Sequence, residues 1–326
     1  MRRGVAQMEA RCVWDAEVGG SSPPTPTILF YGNILFKSQL ITILLFIYLL
    51  VAGCNSIKGD IFPTEPTQTQ TIVPPSASAS PSFWIPTANS IFQIQLSDYP
   101  PNLHLESDIF ELDLFETSPS AIRFLHQRGK KVICYLNAGA WEDFRPDATD
   151  FPQEAIGDPY VGWPGERWLD VKNFNTFASV MSARLDLAVE KGCDAVDPDN
   201  INGYLHPTGF NITYQDQLAY NKWLSEQAHQ RGLSIGMKNN GDQANDLVAH
   251  FDFVVTEDCF FFDECDQYSI FSDYEKAVFQ IEYTDRISDL GRICDAVQDL
   301  KYQVLLKNRN LDAYVEYCQK NLLHSS

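Results

Sequence analysis

Residues 175–200 read NTFASVMSARLDLAVEKGCDAVDPDN, and two periods meet in them. As far as Lys191, apolar side chains return at every third or fourth position, the spacing of one helix face. Gly192 follows, the residue type that most readily takes the left-handed conformation closing a helix. A short buried-strand pattern, CDAVD at 193–197, comes next and runs into Asp197-Pro198-Asp199-Asn200. A helix, a glycine stop and a strand tipped with carboxylates make one unit of an alternating α/β fold.

The unit repeats in both directions. Strand-like runs fall at 91–96, 109–115, 131–137, 233–238, 252–257, 277–283 and 302–307. With 193–197 they make eight. Helical periodicity fills 118–129, with Ser118 as its cap, and 175–192, 213–232, 242–250, 287–300 and 311–322. Strands alternating with helices pair in parallel through right-handed crossovers. Eight such units in about 240 residues fit a (β/α)8 TIM barrel, which typically needs about 250. A doubly wound nucleotide-binding sheet is the rival, but no glycine-rich loop follows the first strand.

The 326-residue chain is acidic, with 24 Lys+Arg against 43 Asp+Glu and a formal net charge of -19. That balance argues against a nucleic-acid partner, whose phosphates need basic groups. A hydrophobic content of 44% provides for a real core.

Four regions are expected. Residues 1–30 carry no period and read as a start placed too far upstream. Residues 31–54 hold the apolar run QLITILLFIYLLVAG, and small residues crowd Cys54 behind it, as in bacterial lipoprotein signals. Cys54 is then the lipid-bearing residue, and Asn55 stands where those signals often have a retention aspartate. Residues 55–82, rich in Pro, Ser, Thr and Gln, form a disordered tether. The barrel occupies 83–322, giving an exported, surface-anchored, monomeric lipoprotein.

Six cysteines remain within the barrel, an even number that permits disulfides outside the cytosol. Cys259 with Cys265 is the favoured pair, Cys294 with Cys318 a weaker one. Cys134 and Cys193, in or beside strands, read as buried free thiols.

Barrel chemistry sits at the C-terminal strand ends. There the sequence places Gln93 and Gln95, then Asp113, then Tyr135 and Asn137, then Asp197, Asp199 and Asn200. Lys238 and Asn239 follow on the fifth strand, Glu257 on the sixth, Glu282 and Tyr283 on the seventh, Lys307 on the eighth. Ionisable groups are thus concentrated at one rim. The insertion at 140–170 adds Trp141 as a substrate wall with Glu142, while Trp168 reads as loop packing. Tyr204 follows the fourth strand.

Two carboxylates from different strands facing one cleft are what glycosidic cleavage requires. Asp199 and Glu257 suit those roles, with Asp197 one tier deeper as a supporting charge near Lys238. The histidines are scattered, so no metal site is expected, and no cofactor either. No G-x-S-x-G elbow is present, and the DPDN segment lacks the closing glutamate of a calcium loop.

Taken together, KVICYLNAGAWEDFRPD, GWPGERWLD, KGCDAVDPDNINGY, RGLSIGMKNN, FDFVVTEDCFFFDEC and AVFQIEY resemble glycoside hydrolase family 114. Six blocks in order cover about residues 90–312. The resemblance implies an endo-α-1,4-polygalactosaminidase-like barrel with Asp199 and Glu257 as the catalytic pair. By similarity to α-galactosidase barrels, Asp199 is the nucleophile and Glu257 the acid/base. The partner implied is a galactosamine-rich polysaccharide. Phe92 stands where the family often has tryptophan, and Asn240-Gly241 where it often has Asp-Leu. A non-catalytic glycan-binding scaffold and an exo-acting enzyme are the alternatives.

Overall fold

The computed structural model of the chain describes residues 83–287 and 289–318. The expected upstream start, the signal segment with Cys54 and the tether all lie outside the described residues. Eight strands run in parallel: β1 (Phe92–Gln95), β2 (Ile109–Asp113), β3 (Lys131–Asn137), β7 (Ala195–Asp199), β8 (Ser234–Lys238), β9 (Phe253–Glu257), β10 (Ala277–Tyr283) and β11 (Gln303–Lys307). They neighbour one another in that order. The sheet curls until its ends meet, where Phe92 N donates to Gln303 Oε1 at 2.9 Å and Lys307 Nζ to Gln93 Oε1 at 3.2 Å. This is the expected α/β barrel architecture.

Helices α1 (Pro119–Gln127), α2 (Ala178–Lys191) and α3 (Tyr214–Gln230) cover its outside. Short helices α4 (Ala244–Leu247), α5 (Ser269–Asp273) and α6 (Leu290–Ala296) fill the later crossovers. The opening stretch behaves as its pattern implies: Gly192 takes φ +91° at the end of α2, and the chain turns into β7. The helix expected at 311–322 does not form over its described part. Instead β12 (Glu316–Tyr317) lies antiparallel on β11.

Strand alternation sorts the side chains into two cores. Phe92, Ile94, Ile109, Ile133, Phe253 and Phe279 fill the barrel, with Phe92 and Phe279 stacked 4.3 Å apart. Phe110, Leu112, Val132, Val196, Ile235 and Val254 face outward against the helices. The same alternation turns Glu111, Asp113, Tyr135, Asp197, Asp199, Lys238 and Glu257 inward, above that apolar plug. At Gly236, level with the plug, an added Cβ would lie 2.5 Å from the Phe253 ring and 3.0 Å from Asp197 Oδ1.

The insertion after β3 is structured rather than a bare loop. β4 (Ala140–Glu142), β5 (Ile156–Pro159) and β6 (Glu166–Leu169) form a separate antiparallel sheet in the order β4-β6-β5. All six barrel cysteines are paired: Cys259–Cys265, Cys294–Cys318 and Cys134–Cys193. The free thiols expected at Cys134 and Cys193 are therefore corrected. Cys134 points outward from β3 and Cys193 enters the neighbouring β7, which brings their Cα atoms to 5.9 Å. Strand adjacency made the pair; sequence separation concealed it.

Candidate active site

Three consecutive strands of the barrel end on Asp199, Lys238 and Glu257, and each ends the same way. The next residue, Asn200, Asn239 or Asp258, takes a positive φ of 62°, 51° or 57°. Asn and Asp tolerate that left-handed turn better than other side-chain-bearing residues. The turn also aims polar groups back at the strand tips. Asn200 N donates to Asp199 Oδ1 at 2.8 Å, and Asn239 Oδ1 accepts from Glu257 N at 2.9 Å. Gly139 lets the β3 loop approach this turn, since a Cβ there would sit 1.7 Å from Asn200 O.

Lys238 stands between the two acids. Its ammonium lies 3.3 Å from Asp199 Oδ1 and 3.2 Å from Glu257 Oε2. These two oxygens are therefore no more than about 6.5 Å apart. Tyr135 Oη donates to Asp199 Oδ2 at 2.9 Å, so three donors converge on that carboxylate. The Tyr283 hydroxyl donates to Glu257 Oε1. Arg309 stacks 3.8 Å from the centre of the Tyr283 ring and bonds Asp258 at 2.6 Å, fixing the tyrosine from behind. Burial opposes the Lys238 charge, but Asp199, Glu257, Asp197 and Glu111 outweigh it and raise its pKa. Burial, then the neighbouring Asp199 and Glu257, likewise raises Tyr135 and Tyr283, so both remain hydroxyl donors.

These tips open on a cavity of about 630 Å³. Tyr135, Asp199, Asn200, Lys238, Asn239 and Glu257 line it, all of them residues expected from sequence. Among its wall residues five carboxylates, Glu166, Asp199, Asp242, Glu257 and Glu264, stand against Lys238 and Arg286.

A second pair of acids lies beneath. Glu111 and Asp197 are fully buried, and no other side chain or backbone group donates to their oxygens. Each acts on the other, which calls for a shared proton. Burial, opposed by Lys238 and reinforced by Asp199 and Glu257, pushes Asp197 up to about 7 from an ordinary 3.8. An acid raised on folding favours the native state while protonated, and that contribution is lost as pH climbs from about 4 through about 7. Asp197→Asn, which mimics the protonated form, should match wild type near pH 4. At pH 8 it should be more stable by on the order of 4 kcal/mol. Urea unfolding at both pH values checks this; equal stability at pH 8 would contradict the shared proton.

A family model described as glycoside-hydrolase family GH114 matches residues 73–323. The chain belongs to glycoside hydrolase family 114. This GH114 enzyme is similar to Aspergillus fumigatus Ega3, solved in complex with galactosamine, at 34% identity and TM-score 0.69. That match covers 74% of this chain and 100% of Ega3. The glycoside hydrolase domain of PelA from Pseudomonas aeruginosa shares the fold at 13% identity and TM-score 0.54, over 69% of this chain and 96% of that one. No curated protein sequence matches.

Other expected residues of the GH114 enzyme sit elsewhere. Asp113 and Glu142 do not reach the cavity wall; both bind Arg145 in a buried cluster. Trp141 is not among the residues lining the cavity; its indole donates to Ala148 O and packs on the outer core. Trp168, expected to pack the loop, does border the cavity and stacks on His206 at 4.8 Å. Glu282 has the wrong strand parity and faces out of the barrel, accepting from Phe260 N. Gln93 and Lys307 bond each other at the seam, and Gln95 orders the loop behind it. Asn137 ties β3 to Glu166 and Asn200 without reaching the wall, and Tyr204 contacts Asn240.

Sequence reasoning missed Glu166, His206, Glu111 and Arg309. Glu166 lies within the quoted GWPGERWLD block, yet only the β4-β6 pairing swings it over the cavity. Glu111 was legible, since it stands two residues before Asp113 on the same strand face. One group of metal-ligating types, Cys259, Cys265 and Glu282, occurs among the described residues, and its sulfurs are consumed by a disulfide.

Proposed function

We propose that the chain is a retaining, endo-acting hydrolase of α-1,4-linked galactosamine polymers, with Asp199 as nucleophile and Glu257 as acid/base. The observation that carries this reading is the single Lys238 ammonium spanning both carboxylates. Retaining enzymes keep their carboxyl groups roughly 5–5.5 Å apart, and inverting ones roughly 6.5–9.5 Å. The Lys238 contacts hold the two facing oxygens to about 6.5 Å at most, at the bottom edge of the inverting range, which supports the shorter retaining spacing. Asp199, fixed by three donors, attacks the anomeric carbon. Glu257 protonates the leaving oxygen, then takes a proton from the water that releases the sugar.

The substrate class rests on Ega3, solved with galactosamine, and on charge. A wall richer in carboxylates than cations attracts the ammonium groups of a deacetylated amino-sugar polymer. The three disulfides support an exported enzyme, and the Cys54 signal supports a lipid anchor at the membrane surface. A defined galactosamine oligomer tests the reaction. Mass spectrometry should show internal cleavage, and early NMR spectra should show the α-anomer of the new reducing end. An initial β-anomer would overturn retention, and release of single terminal sugars would overturn endo action.

A further inference from the structure

The chain after Glu257 does not return directly to a helix. It forms a short tip, Asp258 to Cys265, closed by the Cys259–Cys265 disulfide. Backbone bonds hold it from within: Phe262 N donates to Asp258 O at 3.0 Å, and Glu264 N to Cys259 O at 2.9 Å. From outside, Phe260 N is fixed by Glu282 on β10 at 2.8 Å. A loop so held would be expected to bury its apolar side chains. Phe260 does pack on the outer core, yet Phe261 is 40% exposed and Phe262 50%. The two rings meet edge to face, 5.0 Å between centres at 83°. The Arg286 guanidinium caps Phe261 at 4.5 Å, and Phe262 faces the cavity.

Single exposed apolar residues are ordinary on a protein surface. Here they gather. Val161 from the insertion, Leu205 after β7 and Phe262 are all about half exposed, and all border this one cavity. Its floor is ionic and its rim apolar. That combination suits an amino-sugar polymer. A pyranose ring offers an apolar C–H face to an aromatic ring, and its hydroxyl or ammonium groups to carboxylates such as Glu264. Because the tip is already ordered, binding there need not freeze a mobile loop.

We propose that Phe262, steadied by Phe261 and Arg286, is the platform of a distal sugar subsite that grips the polymer away from the bond being cut. The proposal rests on the galactosamine-polymer reading above. The platform makes cleavage depend on chain length, because only oligomers long enough to reach it gain from the contact.

The test compares kcat/KM for α-1,4-galactosamine oligomers of increasing length. In wild type, kcat/KM should rise with length until the subsite is filled. In Phe262→Ala the ratio between the longest and shortest cleaved oligomers should fall about tenfold. Phe262→Tyr should keep that ratio. Calorimetric affinity on an Asp199→Asn background should follow the same length rule without needing cleavage. An unchanged ratio in Phe262→Ala, or an equal fall in Phe262→Tyr, would overturn the platform. Wild-type enzyme that neither cuts nor binds these oligomers would instead overturn the substrate assignment.

Discussion

With Asp199 as the proposed nucleophile, Asp199→Asn should lower kcat/KM for galactosamine oligomers by about 10³–10⁵-fold while the fold survives. The substitution keeps the side chain's size but removes the charge that three donors surround, so no covalent sugar intermediate can form. Glu257→Gln should cause a comparable loss for a different reason: glutamine in the proposed acid's place cannot give a proton to the departing sugar oxygen. Leaving-group chemistry separates the two. A galactosaminide with a nitrophenol leaving group departs without proton assistance. Glu257→Gln should therefore regain much of its first step on that substrate, and Asp199→Asn should regain none. Burst kinetics with both substrates, together with circular dichroism to confirm folding, makes the measurement. Full activity in either variant on the natural polymer, or rescue of Asp199→Asn by the activated substrate, would remove the assigned roles.

The second large effect is on stability. Arg145→Met costs about 3–5 kcal/mol, because it leaves two acids buried without their cation. Arg145 Nη1 and Nη2 grip both oxygens of Asp113 at 3.0 and 2.9 Å, and Nε donates to Glu142 at 2.6 Å. All three side chains are nearly inaccessible to water. This cluster joins β2 to β4 and so anchors the insertion whose Glu166, Trp163 and Trp168 wall the cavity. The triple variant Arg145→Met, Asp113→Asn, Glu142→Gln should recover most of the loss, since it abolishes the stranded charges as well as the pairing. Urea midpoints of the two variants decide the point. A triple variant as unstable as the single one would show that packing around Phe115 and Phe144, which the guanidinium also covers, dominates.

All eight barrel strands were legible, each within a few residues of its observed span. The reason is energetic: a strand buried on both faces must be written as a short apolar run, and its crossover helix as a 3.6-residue period. Over its described part, the helix expected at 311–322 gave way to strand pairing. Its apolar positions do recur at helical spacing, but the β11 edge offered the chain unpaired backbone groups, which β12 takes up. The Asp199 and Glu257 positions could be read because strand ends in such barrels face one rim. Glu282 misled because a rim position says nothing of parity, and its neighbour Tyr283 holds the inward one.

What the sequence determined by itself is therefore everything carried by local period and local turn chemistry. That comprises the order of strands and helices, the glycine stop at Gly192, and the ionisable residues Asp199, Lys238 and Glu257 at three strand tips. What only the tertiary structure decided is everything that depends on which strands lie side by side. Adjacency of β3 and β7 joined Cys134 to Cys193. Placement of β8 between β7 and β9 set one lysine across two acids. Pairing of β4 with β6 carried Glu166 and Trp168 to the cavity and left Trp141 behind. Periodicity fixes which way a side chain points along its own element. Only closing the barrel fixes what it meets, because register across strands brings together groups far apart in the chain.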